Sequence, residues 1–197
     1  MESFAEKIGM PLDDFIRLYD EQPFELIDGQ RIVKMPNVAG HGEIAQFIFL
    51  TLHLFITPKN LGIVFHEMPF VLSYTSNWVT GSRTPDVMYY QMERVLAYRE
   101  ADPDYRQKPY VLVPDLVIEI VSPTDQLSEL NFKADQYLRD GVQVVWVFDP
   151  QRQRVVVHTL TAAQPFTKQQ VILEADDRLE GGDLLPGFEI QVAQLFS

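Results

Sequence analysis

The sequence predicts an α/β fold with a mixed sheet at its core. Three observations support this prediction: alternating apolar runs on either side of a two-residue turn, helical apolar spacing at 42–56 and 126–140, and a near-continuous apolar run at 116–121. The predicted elements follow the order hairpin, helix, three strands, helix and strand pair. This order is typical of an α/β domain and of neither a bundle nor a barrel.

The chain is long and apolar enough to bury a sizeable core. With 197 residues, of which 46% are hydrophobic, we expect one domain over 1–197. Within it we distinguish an N-terminal helix and hairpin at 1–38, a core at 39–150 and C-terminal strands at 151–197.

The N-terminal region is predicted to form a short helix and a β-hairpin. Residues 11–21 place apolar side chains on one helical side after Pro11. The hairpin at 24–35 turns at Asp28 and Gly29, because this pair tolerates the positive φ angles of a type I′ turn.

The core alternates helices and strands. Apolar side chains recur at helical spacing in 42–56, and Pro58 ends that helix. The predicted strands and the second core helix follow in the order 62–73, 85–90, 116–121, helix 126–140, 142–150 and 154–160. A polar loop is expected at 99–108, and short strands with a final helical turn are expected at 184–196.

Composition excludes several classes of site. The chain has no cysteine, so disulfides, thiol nucleophiles and cysteine-ligated zinc are excluded. The longest apolar run, 47–56, is too short to span a bilayer, and 1–10 lacks the pattern of a signal peptide. We therefore expect a soluble, cytoplasmic protein without a membrane partner. The net charge of -12 argues against sequence-independent coating of DNA, although a metal ion can hold phosphate locally.

Glu119 stands in the middle of an apolar strand. The run at 116–121 predicts a central strand covered on both faces, so this carboxylate is expected among core residues. An isolated charge there would cost several kcal/mol, so Glu119 should be paired, protonated or bound to a metal ion. The residues alone leave these three states open.

Asp86 is the best partner for Glu119 in one ion site. It opens a neighbouring strand, and adjacent strands lie about 4.8 Å apart. Asp115 shares a strand face with Glu119 but lies about 13 Å along it, and a turn or capping role is favoured for Asp115. Lys133 borders the buried stripe of the next helix, where it either reaches the site or only lays its stem on the core.

Taken in order, these segments resemble the PD-(D/E)XK nuclease superfamily. The set "FELIDGQRIVKM", "PDVMYY", "PDLVIEIVSPTD", a following lysine, "YLRDGVQVVWVFDP" and "LLPGFEI" is similar to the Uma2 family of restriction endonucleases, which is expanded in cyanobacteria. The resemblance covers nearly the whole chain, from residue 24 to residue 196.

The resemblance implies a restriction-endonuclease-like core with Mg²⁺ or Mn²⁺ as cofactor and DNA as substrate. Asp86 and Glu119 would be metal ligands, and Lys133 would be the catalytic lysine. His41 and Glu25 match further family positions, and they would contact the metal ligands without binding the metal ion themselves. Val121 occupies the position where the superfamily usually has its lysine, which is a departure from the pattern. A homodimer is compatible with cleavage of both strands.

These observations lead to the hypothesis of a metal-dependent endonuclease acting on DNA. The alternative is an inactive member of the fold that serves as a binding or scaffold module, with Glu119 paired to Lys133. A glycosidase working with paired acids is disfavoured, because no sugar-binding aromatic platform is apparent.

Overall fold

The structure is a computed structural model that describes residues 8–75, 77–123, 127–161 and 167–197. The chain divides into two compact units. Unit 1 comprises Met1–Pro36, Met68–Thr84 and Asp102–Val113. Unit 2 comprises Asn37–Glu67, Pro85–Ala101 and Pro114–Ser197. The single-domain organisation expected from the sequence stays a prediction.

The described residues form α-helices, short 3-10 helices and β-strands. The α-helices are α1 (Leu12–Glu21), α2 (Ala39–Ile56), α3 (Met92–Ala101) and α4 (Leu127–Asp140). The strands are β1 (Met10–Pro11), β2 (Phe24–Ile27), β3 (Gln30–Val33), β4 (Gly62–His66), β5 (Phe70–Thr75), β6 (Trp78–Arg83), β7 (Val87–Gln91), β8 (Leu116–Ile120), β9 (Val144–Asp149), β10 (Arg154–Leu160), β11 (Lys168–Leu173), β12 (Arg178–Glu180) and β13 (Glu189–Gln191). The 3-10 helices are Thr57–Lys59, Tyr105–Gln107 and Val192–Phe196.

Unit 1 is an antiparallel sheet with α1 packed on it. The strand order is β1-β6-β2-β3, and β5 also pairs with β6. The predicted hairpin is confirmed: β2 pairs with β3 around Asp28 and Gly29, whose φ angles of 49° and 79° are both positive. Phe15 of α1 packs with Phe24 and Leu26 of β2 in the apolar core of this unit.

Unit 2 contains the mixed sheet that the sequence predicts. Its strand order is β11-β10-β9-β8-β7-β4, in which β8 and β9 are parallel and the other neighbours are antiparallel. The crossover between the parallel strands contains α4, as parallel pairs require. All five residues of β8 are buried, which confirms the prediction of a central strand.

Helix α2 contributes one face to the core of unit 2. Its buried apolar residues, Ala45, Ile48, Leu52 and Ile56, follow helical spacing. The helical stretch Ala39–Lys59 has 21 residues and a hydropathy that would suit a membrane span by length and composition alone, and 28% of its apolar window is buried. The helix is thus longer than the apolar run considered in the sequence. Core helices of soluble proteins pass the same test, so the absence of a membrane partner stays a prediction.

Strand β6 and helix α3 are among the elements that the sequence did not predict. Strand β6 has the sequence WVTGSR, which contains a glycine and no clear apolar alternation. Helix α3 buries only Val95 among its ten residues, so it has no apolar stripe to show its period. The polar loop predicted at 99–108 begins inside this helix and contains a 3-10 turn.

The prediction of a single strand at 62–73 was wrong. This segment is divided into β4, in the sheet of unit 2, and β5, in the sheet of unit 1. Glu67 lies between them with a φ of 49°, a left-handed conformation that ends an extended strand. The predicted start of the second core helix at residue 126 lies outside the described residues, and the helix is described from Leu127.

Candidate active site

Asp86 and Glu119 lie opposite each other at one end of two paired strands. Val87 of β7 is the register partner of Ile118 in β8, so the preceding residue, Asp86, is aligned with the following residue, Glu119. The two strands are antiparallel, and Asp86 Oδ2 accepts a 2.8 Å hydrogen bond from the backbone N–H of Ile120. The strand adjacency expected for these two acids is therefore present.

His41 contacts the same oxygen of Asp86. Its Nε2 lies 3.0 Å from Asp86 Oδ2, and both side chains are buried. Because an ionised carboxylate can only accept, this bond requires the proton on Nε2 of the imidazole. His41 lies in the first turn of α2, so this helix tethers the strand end that carries Asp86.

Glu119 accepts hydrogen bonds from two side chains of α4. Lys133 Nζ lies 2.9 Å from Oε2, and the Tyr137 hydroxyl lies 2.5 Å from Oε1. Glu119 is 5% exposed, and inside the protein its charge is balanced by the Lys133 ammonium and further stabilised by the hydrogen bond from the Tyr137 hydroxyl. Of the three states considered for Glu119, the structure shows a paired carboxylate.

The departure from the superfamily pattern has a structural counterpart. Val121 is buried, and its backbone N–H donates to the Phe148 carbonyl at 2.8 Å. An ammonium group nevertheless reaches the Glu119 carboxylate, because Lys133 supplies it from the following helix. The ammonium group of Lys133 is thus next to Glu119, although this lysine does not occupy the sequence position of Val121.

Glu25 belongs to β2 of unit 1. It is 4% exposed, and its Oε1 accepts a 2.9 Å hydrogen bond from the backbone N–H of Thr84. Thr84 is the last residue of this segment of unit 1, two positions before Asp86 in the chain. The bond gives Glu25 a structural role, and its assignment to a site around Asp86 stays a prediction.

Asp115 has a different environment at the other end of β8. Its buried carboxylate accepts from the Gln91 backbone N–H at 2.9 Å and from the Gln143 amide at 2.6 Å, and it lies 2.8 Å from Arg94. Burial, and then the charge of Asp115, raise the pKa of Tyr89 to about 12. Through these contacts Asp115 stabilises this end of β8, in line with the structural role expected for it.

The donor chemistry of the opposed acids suits a hard divalent cation. Among the residues that the structure describes, no three His, Asp or Glu side chains are grouped closely enough to form a complete protein-only metal site. Mg²⁺ commonly uses one or two carboxylates and completes its coordination with waters and substrate phosphates. Asp86 and Glu119 are the two carboxylates that fit this mode.

One residue of the site was missed at the level of the sequence. Tyr137 lies within the helical apolar spacing predicted at 126–140 and is fully buried, but its hydroxyl also contacts Glu119. The only available signal was its spacing of four residues from Lys133, which places both side chains on one helical face.

The chain is similar to known proteins over most of its length. The family model for Uma2, described as "Putative restriction endonuclease", matches residues 12–193. A crystal structure from Anabaena variabilis ATCC 29413, described as a "putative nuclease belonging to DUF820", is 21% identical, with a TM-score of 0.74 over 95% of this chain and 97% of that chain. No curated protein matches. The structural likeness confirms the restriction-endonuclease-like α/β fold expected from the sequence.

Proposed function

Because the chain belongs to the Uma2 family, described as "Putative restriction endonuclease", we propose that it is a metal-dependent endonuclease that hydrolyses phosphodiester bonds of DNA. The observation that carries the proposal is the opposed pair Asp86 and Glu119, with Lys133 bound to Glu119. Two acids can hold a divalent cation, and an ammonium group can stabilise the negative charge that develops on phosphate.

Each residue of the set has a separate role. Asp86 and Glu119 would hold Mg²⁺ or Mn²⁺ through carboxylate oxygens, which hard cations prefer. The bound cation supplies a water of lowered pKa and neutralises charge on the scissile phosphate. Lys133 orients that water or stabilises the extra negative charge of the transition state. The water oxygen would bond to phosphorus and release its proton to solvent, while the bond to the leaving oxygen breaks and that oxygen takes up a proton from solvent.

The bonds around Asp86 and Glu119 favour a fixed geometry. The Ile120 N–H and His41 both contact Asp86, and the buried Tyr137 hydroxyl contacts Glu119. Carboxylates held in this way do not have to reorganise when the cation and substrate bind, which lowers the barrier of the chemical step.

The acidic charge of the chain shapes the expected binding of DNA. A net charge of -12 disfavours an extended contact with many phosphates. We therefore expect affinity to depend mainly on the cation-bound phosphate and a few local contacts. The logarithm of the binding constant should fall gently with the logarithm of salt concentration, because the slope scales with the number of phosphates contacted.

Nicking of supercoiled plasmid tests the proposal. Wild type is compared in Mg²⁺, Mn²⁺ and EDTA with Asp86→Asn and Glu119→Gln, which keep the size of each side chain. Glu43→Gln, an exposed acid of α2, is the matched control. We expect metal-dependent nicking in wild type and the control, and at least a hundredfold loss in both site variants. Retained nicking in Glu119→Gln would contradict the proposal.

A binding or scaffold module is the second candidate function. The Lys133 and Glu119 pair favours it, because an ammonium group can neutralise the buried carboxylate without a metal ion. In that case Mn²⁺ should not raise the melting temperature, whereas a ligand that binds only the folded state raises it by mass action. No nicking together with no stabilisation by metal would favour this second function.

A further inference from the structure

Lys133 and Tyr137, which both donate hydrogen bonds to Glu119, lie about one helical turn apart but differ in charge and burial. Lys133 and Tyr137 are four residues apart on α4, and each donates to a different oxygen of the carboxylate. Lys133 is charged and its side chain is 27% exposed. Tyr137 is neutral and fully buried.

The two side chains also differ in their freedom to move. A lysine ammonium sits on a flexible four-carbon stem, and the Lys133 side chain is partly exposed to solvent. A buried tyrosine has only two side-chain torsions, and the surrounding core holds its ring. Lys133 can therefore leave Oε2 without disturbing the core, whereas Tyr137 cannot leave Oε1 in the same way.

Binding of a cation to Glu119 acts differently on the two donors. An ammonium group and a divalent cation at one carboxylate repel each other, and an oxygen that keeps its ammonium partner has less electron density to offer. A phenol is neutral, so it can keep its hydrogen bond to the other oxygen while a cation is bound. Hydrogen bonds of this kind orient metal ligands and affect metal affinity.

We propose that Tyr137 is the positioning residue of the Glu119 carboxylate and that Lys133 is its displaceable counter-ion. This inference rests on the proposed function, which makes Glu119 a metal ligand. In the metal-free protein, Lys133 neutralises the buried charge at Oε2. When a divalent cation binds, the Lys133 ammonium moves from Oε2 towards the substrate side, while Tyr137 keeps Oε1 in place.

The exchange explains why the lysine lies on a helix and not on the strand. From α4, the flexible stem of Lys133 can serve the carboxylate before metal binding and the phosphate afterwards. A single ammonium group thereby prevents an uncompensated buried charge in the free protein and becomes available for the chemical step only when the cation has taken over that role.

Calorimetric titration with Mn²⁺ alone, without DNA, tests this inference. The variants are Tyr137→Phe, Lys133→Met and Glu119→Gln, and Tyr89→Phe is the matched control. Tyr89 also has a buried hydroxyl in unit 2, but it donates to the Leu61 carbonyl at 2.8 Å. Melting temperatures in EDTA show whether each variant is folded.

The expected results differ in direction between the two donors. Tyr137→Phe should weaken Mn²⁺ binding by about 10-fold to 100-fold, the usual effect of removing a partner of a metal ligand. Lys133→Met should bind Mn²⁺ at least as tightly as wild type, because the competing ammonium is gone, yet it should lose plasmid nicking. Tyr89→Phe should bind as wild type does, and Glu119→Gln should show no binding.

Two outcomes would overturn the inference while leaving the proposed function in place. One is wild-type affinity for Mn²⁺ in Tyr137→Phe. The other is weaker Mn²⁺ binding in Lys133→Met, which would make the ammonium a support of the site and not a competitor. Absence of Mn²⁺ binding by the wild type would instead contradict the proposed function itself, and with it this inference. If Tyr137→Phe does not fold, Lys133→Met alone still decides between displacement and support.

Discussion

Nε2 of His41 lies 3.0 Å from Oδ2 of Asp86, and both side chains are buried. The two residues are 45 positions apart in the chain, so this bond joins the start of α2 to the residue before β7. A buried carboxylate that loses a donor keeps its full desolvation cost, which makes the bond more costly to remove than its net strength suggests.

Replacement of His41 should therefore destabilise the protein. In His41→Ala we expect the free energy of unfolding to fall by about 1–3 kcal/mol, because Asp86 loses a buried donor. His41→Gln should lose less, since an amide can donate in place of Nε2. Urea denaturation in EDTA measures both. The control is His53→Ala, an exposed histidine of the same helix, which should stay within about 0.5 kcal/mol of wild type. Equal losses at the two positions would contradict this prediction.

Glu25 should matter for stability through its role as an acceptor. Its Oε1 receives the N–H of Thr84, which is 2% exposed. Glu25→Ala leaves that N–H without this acceptor and should lower the free energy of unfolding by about 1–3 kcal/mol. Glu25→Gln keeps an acceptor oxygen and should retain most of the stability. Thermal melts of the two variants test the order, and a larger loss in Glu25→Gln than in Glu25→Ala would refute it.

Asp115 and Arg94 should respond unequally to substitution. Asp115→Ala removes the acceptor for the Gln91 N–H and the Gln143 amide and leaves Arg94 without this partner, so we expect a loss of about 3–5 kcal/mol. In Arg94→Met the two neutral donors still satisfy the carboxylate, so the loss should be smaller. Guanidinium denaturation at neutral pH compares the two. The explanation fails if Arg94→Met costs as much as Asp115→Ala.

His158 links stability to pH in a mildly acidic window. Burial, and then the charge of the Lys168 ammonium, lower the pKa of His158 from 6.5 to about 4, although the Asp135 carboxylate acts in the opposite direction. The unfolded chain therefore binds a proton near pH 6.5, while the folded chain binds it only near pH 4. The stability from this group is complete above pH 6.5 and is lost as the pH falls towards 4.

Substitution of His158 should remove this pH dependence. Between pH 6.5 and pH 4, the free energy of unfolding of wild type should fall by on the order of 3 kcal/mol more than that of His158→Val. Urea denaturation at stepped pH values measures the difference. Between pH 7 and 8 the difference should be constant, which provides an internal control. Parallel curves through the acidic window would show that His158 is not the linked group.

Local sequence signals predicted the elements that depend on local chemistry. Asp28 and Gly29 adopt the positive φ angles that these two residue types tolerate, so the hairpin could be predicted directly from the sequence. The apolar run at 116–121 predicted a central strand, because burial on both faces favours apolar residues throughout the strand. Strand β6 gave no such signal, because its sequence lacks apolar alternation and its pairing with β2 depends on a partner distant in the sequence.

The site likewise contains features that the sequence predicts and features that depend on tertiary packing. The alignment of Asp86 with Glu119 could be expected, since both lie in predicted strands that are consecutive in the sequence. The contact of Tyr137 could not, because a tyrosine on an apolar helical stripe has the same pattern whether or not its hydroxyl meets a carboxylate. The angle and depth at which α4 packs on the sheet decide that contact, and neither property is encoded in the helical period.

The chain separations within the site suggest an order of folding. Glu119 is 14 and 18 residues from its two helical donors, whereas Asp86 is 34 residues from Ile120 and 45 from His41. Closing a loop of 45 residues costs about 1 kcal/mol more chain entropy than closing one of 14. We therefore expect the half of the site around Glu119 to assemble first, as α4 docks on β8. The half around Asp86 should form in a later step, so that a partly folded chain would already hold its lysine against the glutamate before a complete ion site exists.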